Sequence, residues 1–121
     1  MQSAAQAYGT VAKQTAAPRE LEAGLLLRAA ARLQEVSDSW DSKQRDLDEA
    51  LLYNRRLWSI FLTAATSGEN GLPVGVRQNV ANLGIFVINH TISLAFDRRP
   101  ERLGSLITIN RELAAGLLGR A

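Results

Sequence analysis

Cysteine is absent from this chain, histidine occurs once, proline three times and lysine twice, and each shortage closes off some chemistry. Without cysteine there is no disulfide framework, no thiolate nucleophile and no cysteine-built zinc site. A lone imidazole, His90, cannot assemble the multi-histidine clusters that many transition metals prefer. A strong excess of one charge is missing too: 14 basic residues against 12 acidic leave +2, and no basic run exceeds Arg55-Arg56 or Arg98-Arg99. Nucleic acid therefore has little electrostatic footing, and the sequence pI of about 9.5 overstates the basicity because arginine keeps its charge to very high pH. The opening Met1-Gln2-Ser3-Ala4-Ala5-Gln6 lacks the positive n-region and apolar core of a secretion signal, so a cytoplasmic location is expected. With 121 residues, the span 1–121 is expected to form one domain.

What is present is helical patterning. Pro18, Pro73 and Pro100 each stand where an apolar period of three and four restarts, and proline suits the first helical position because it loses no bonded N–H there. A weak helix is expected over residues 3–15, with Ala4, Tyr8, Val11 and Thr15 on one stripe and Gly9 weakening it. After Pro18, the acids Glu20 and Glu22 favour a helix start, and Leu21, Leu25, Ala29, Leu33 and Val36 carry its period. Ser37 to Ser42 reads as a loop of small polar residues, with Asp41 or Ser42 capping the next helix. Along that helix Leu47, Leu51, Asn54, Trp58, Phe61 and Ala65 form a core-facing seam containing one amide. The Asn70-Gly71 pair marks a tight reversal before Pro73. A last period runs through Leu103, Leu106, Asn110, Leu113 and Leu117 to a stop at Gly119. No alternating β-branched stretch occurs, so the expected fold is all-α, a small bundle of about five helices with a weaker first one.

The stretch from Gln78 to Phe96 carries no formal charge over nineteen residues, close to a membrane span in length. Gln78, Asn79, Asn82, Asn89 and His90 would then lie at bilayer depth, where unsatisfied polar groups cost several kcal/mol each, so a span is rejected. Two adjacent stripes of this helix are apolar, one holding Val76, Val80, Leu83, Val87, His90 and Leu94, the other Ala81, Ile85, Ile88, Ile92 and Ala95. Such a helix is expected either at the centre of a bundle or sharing its surface with a partner.

Catalytic constellations are not apparent. His90 has Phe86, Val87, Ser93 and Leu94 at three and four residues, no orienting carboxylate among them, and reads as a buried or partner-facing histidine rather than a base. Asp46, Asp48 and Glu49 open a helix, where the macrodipole accounts for them. No glycine loop matches a phosphate cradle, and neither metal nor cofactor is expected. The seam amides Asn54 and Asn110 stand out, because burying them requires partners and such residues can fix register. They could bond each other, with Trp58 in the core and Arg55 and Arg56 on a solvated face.

These residues resemble a known family. Ala7-Tyr8, Pro18-Arg19-Glu20, Ala50-Leu51, Asn54-Arg55 with Leu57-Trp58 and Phe61, Asn70-Gly71-Leu72-Pro73, Phe86-Val87 with Thr91, and Ile109-Asn110-Arg111 occur in the order and spacing of the FlaF flagellar biosynthesis proteins. The likeness covers nearly the whole chain. It implies a non-enzymatic cytoplasmic helper of flagellin, needed for its synthesis, secretion or assembly and acting with the regulator FlbT. The alternative it leaves is a post-transcriptional regulator working through FlbT without capturing flagellin. The physical reading agrees to this extent: an over-apolar helix suits an amphipathic helix laid in a groove. Candidate partner-binding residues are Ile85, Ile88 and Ile92 first, then Tyr8, Leu26 and the Arg55 face. Asn54, Trp58, Asn70, Gly71, Pro73, Asn110 and Arg111 are the candidate structural positions.

Overall fold

A computed structural model describes residues 18–67 and 73–120. Their order is α1 (Pro18–Asp38), a single turn α2 (Trp40–Lys43), a 3-10 turn (Gln44–Asp46), α3 (Leu47–Ser67), α4 (Val74–Leu94), a second 3-10 turn (Pro100–Leu103) and α5 (Gly104–Leu117). No strand occurs among the described residues, and four long helices make an all-α fold. The weak helix expected over 3–15, with Tyr8, lies outside the described residues, as do Asn70 and Gly71.

Helix α1 starts at Pro18, and its Arg19 guanidinium donates to Glu22 Oε1 at 2.6 Å, one turn on. Its inner face is Ala23, Leu26, Ala29, Ala30, Leu33 and Val36. The alanines keep that face shallow, and α1 packs mainly on α5 and secondarily on α3. Leu21 and Leu25 are only half-buried, so the buried stripe sits slightly around the helix from the one expected.

The expected loop at 37–42 is almost entirely helical. Only Ser39 breaks the run, with φ −125°, and the chain resumes helix at Trp40. Trp40 packs against the core, Ser42 Oγ donates to the Ser39 carbonyl at 3.2 Å, and Lys43 donates to Glu35 of α1 at 2.8 Å. Tertiary contacts here override the weak helix preference of serine and aspartate. Consequently α3 begins at Leu47, several residues after the Asp41 or Ser42 cap expected from sequence.

Helix α3 buries Leu47, Ala50, Leu51, Asn54, Leu57, Trp58, Phe61 and Ala65, and this is the seam read from its steps of three and four. Trp58 and Phe61 meet edge to face, with ring centroids 5.9 Å apart. Pro73, at φ −57° and ψ 153°, immediately precedes α4, and its carbonyl accepts the first helical bond from Arg77 N at 2.9 Å. Arg99 is extended ahead of Pro100, as a residue before proline prefers, and Pro100 opens a 3-10 turn in place of a full helix. At the far end Gly119 takes φ 72°, Arg120 N bonds Ala115 O and Gly119 N bonds Gly116 O, which closes α5 with a Schellman motif at the expected stop.

The candidate site on helix α4

Helix α4 packs on α3 through a column that contains Gly84. A methyl group placed on Gly84 would lie 3.4 Å from Leu62 Cδ1 and 3.5 Å from Trp58 Cε3, so the two helices meet here at close range. Arg98 donates to Asp48 Oδ1 at 2.8 Å and ties the segment after α4 to the start of α3, so the helices run antiparallel. Only Val80, Gly84, Val87 and Leu94 of α4 are buried. Among the described residues it is therefore an edge helix and not the centre of the bundle.

Its outward side mixes large apolar residues with the exposed amides Gln78, Asn79, Asn82 and Asn89. Ile85 and Ile92 are each 54% exposed, Phe86 45% and Phe96, just past the helix, 88%. Ile88 and Ala81 are half-buried beside them. The sequence candidates Ile85, Ile88 and Ile92 thus share one stripe, at successive steps of three and four. Phe86 is exposed on the other flank, beyond the amides and stacked on His90, and Phe96 is exposed just past the helix; the uncharged run from Gln78 to Phe96 is the sequence signal for both.

The end of α4 is fastened by arginine. Arg102 Nη1 donates to the carbonyls of Ser93 at 3.3 Å and Asp97 at 3.2 Å, while Nη2 donates to Ser93 Oγ at 2.7 Å. The Ser93 carbonyl already accepts from Phe96 N and Asp97 N, so Arg102 reinforces a helix end whose carbonyl is in use. His90 Nε2 sits 2.8 Å from the Arg102 carbonyl and the ring stacks on Phe86 at 5.4 Å, so His90 serves to dock α4 on the second 3-10 turn.

Beneath this lies the amide network. Trp58 Nε1 donates to Asn110 Oδ1 at 2.8 Å, and Asn110 Nδ2 donates to Asn54 Oδ1 at 2.6 Å. All three side chains are fully buried. The two amides do bond each other, and Trp58 completes the chain from α3 to α5. Asn54 Nδ2 has no partner among the described residues, which costs about 1–3 kcal/mol.

Leu26 is corrected: it is 0% exposed, its place is in the core of α1, and no partner can reach it in this packing. Arg55 is exposed on α3, and Arg111 is exposed on α5 with Nη2 donating to Gln34 at 3.3 Å. Among the described residues no group of three or more acids and imidazoles converges where a metal could sit, and no helix is long and apolar enough to cross a membrane.

Among the described residues the fold is all-α and leaves Ile85 and Ile92, on the outer stripe of α4, uncovered. The family model for flagellar protein FlaF matches residues 4–117, and the chain belongs to that family. No curated protein and no solved structure matches it.

Proposed function

We propose that this flagellar protein is a non-enzymatic helper that holds flagellin by its helical terminal segments in the cytoplasm before export, and that the outward stripe of α4 is where it does so. The carrying observation is that Ile85 and Ile92, each 54% exposed, stand open with the half-buried Ile88 between them on a helix whose other side is packed. A folded monomer rarely exposes a contiguous apolar patch without a use for it. Covering the patch with the apolar side of an amphipathic helix stabilises the pair by roughly 25 cal/mol per Å² of apolar area removed from water. Membership of a flagellar family supports the choice of flagellin as the partner.

The test is binding of purified flagellin by the wild type and by Ile85→Asp, with thermal melts on the same samples. Because Ile85 is more than half exposed, the variant should melt within a few degrees of wild type, as surface changes of about 0.5 kcal/mol or less do. It should lose flagellin. A folded Ile85→Asp that binds as well as wild type would remove α4 as the surface. Failure of the wild type to bind flagellin would favour the regulatory role through FlbT.

A further inference from the structure

The α4 stripe has two unlike edges. On one side stand the exposed amides Gln78, Asn82 and Asn89, with Gln78 Nε2 donating to Asn82 Oδ1 at 3.2 Å and no formal charge. The other side faces α3 and carries two guanidinium groups. Arg77 lies seven residues before Gly84 and so belongs to the column that touches α3, since seven residues return almost to the same side of a helix. Arg55 lies seven residues before Leu62, the residue that meets Gly84, and so belongs to the α3 column that touches α4. With the helices antiparallel, Arg55 is level with Thr91, beside Ile88 and Ile92.

Neither guanidinium has a hydrogen bond or ion pair among the described residues, and Arg77 Nε is buried with no partner. Around the end of α4 the arginines are committed, Arg98 to Asp48, Arg99 to Asp97 and Arg102 to Ser93 and Asp97; Arg28, Arg45, Arg56 and Arg120 are as open as Arg55 and Arg77, and what sets these two apart is their place on the α3–α4 columns. Arg77 is the only charged residue within α4. The two open cations are separated along the edge by fourteen helical positions, about 21 Å.

We propose that the α4 face takes an amphipathic helix with one acidic edge, its carboxylates about two heptads apart to meet Arg55 and Arg77, and with an uncharged edge lying against Gln78, Asn82 and Asn89. The proposal rests on reading α4 as the flagellin surface and adds the chemistry by which that surface orients its occupant. Planar guanidinium groups at the two ends of one edge fix both the rotation and the register of a helix that the isoleucines alone would let slide.

The experiment is calorimetric titration of flagellin into the full chain at low and high sodium chloride, for wild type, Arg55→Gln, Arg77→Gln and Arg56→Gln. Arg56 is exposed on α3 but turned about 100° away from Arg55, off this edge. Wild-type affinity should fall with salt, and Arg55→Gln and Arg77→Gln should each weaken binding about three- to tenfold at low salt and shrink that dependence. Arg56→Gln should match wild type. Wild-type affinity and salt dependence in both Arg55→Gln and Arg77→Gln, with flagellin still lost in Ile85→Asp, would overturn the acidic edge and leave the flagellin reading standing. Absence of wild-type binding at either salt would remove both. Arg55 is fully on the surface, so its variant decides the matter even if Arg77→Gln disturbs the fold.

Discussion

Helices α3 and α4 are both 21 residues long, and α4 is the more apolar, yet α3 buries eight residues and α4 four. The difference is segregation. Helix α3 sets Asp48, Glu49, Arg55 and Arg56 against a continuous seam, so only one orientation hides its apolar side while keeping its charges wet. Helix α4 has no such contrast, and any of several orientations would hide about as much. Its actual one is chosen by a small residue, Gly84, which lets it close on Leu62 and Trp58, and by fasteners at its end, Arg102 and His90. Apolar content decides that a helix seeks cover; charge placement and local fit decide which side obtains it.

The buried amides offer the largest way to break that comparison, because they make α3 central. Changing Asn110 to Leu strips the acceptor from Trp58 Nε1 and the donor from Asn54 Oδ1, leaving two buried polar atoms unpaired at about 1–3 kcal/mol each. Denaturant unfolding should show Asn110→Leu destabilised by about 2–4 kcal/mol and Asn54→Leu by less, since Asn54 already carries one unpartnered nitrogen. The double variant should depart from the sum by about 0.5–3 kcal/mol, as residues in contact do. Strict additivity would mean that the amides do not touch in solution.

That network also marks how far the sequence could be read. The seam from Leu47 to Ala65 was legible because steps of three and four coincide with opposing charges, while the pairing of Asn54 with Asn110 was legible only as one way for two seam amides to be satisfied, and the structure shows it. The helical turn at 40–43 was hidden because its support is distant in sequence: Trp40 on the core and Lys43 on Glu35. Leu26 was misplaced for a related reason. The alanine-rich side of α1 admits α5 closely, which turns Leu26 inward and leaves Leu21 and Leu25 half covered. The stripe of Ile85, Ile88 and Ile92 could be picked out, but its exposure could not, because a helix whose single charge, Arg77, lies near its start does not announce which side it shows. Arg77 went unremarked, being a single charge whose relation to Arg55 appears only when α3 and α4 lie antiparallel.

Gly84 sharpens the comparison at smaller scale. A methyl group there meets Leu62 and Trp58 at ordinary contact distance, and alanine gains about 1 kcal/mol over glycine inside a helix, so Gly84→Ala should hold or slightly raise the melting temperature. Gly84→Leu has no room against the same neighbours and should cost about 1–3 kcal/mol by forcing α3 and α4 apart. Its Trp58 fluorescence should also shift, since the indole loses its cover. If leucine is tolerated as well as alanine, the close approach of the two helices is not what orients α4.

The smallest effect concerns the charged turn that follows α4. Arg99 grips both oxygens of Asp97, at 2.8 Å and 2.6 Å, and that bonding, with Arg102 nearby, holds the Asp97 carboxyl below its ordinary value of 3.8. A group whose folded pKa is depressed contributes stability that is present above its unfolded pKa and is lost as pH falls through the folded one. The contribution is therefore present at neutral pH and disappears on the acid side, below about pH 4. Both side chains are about half exposed, so solvent and salt screening keep it small. Melting curves of wild type and Asp97→Asn should differ slightly at pH 7 in low salt, and the gap should close as pH is lowered past the carboxylate range. Glu35, whose carboxyl is likewise held below its ordinary value by the hydrogen bond from Lys43, is common to both proteins and cancels in the difference. A gap that stays constant from pH 7 into the acid range would show that Asp97 acts at this helix end through the shape of the turn and not through its charge.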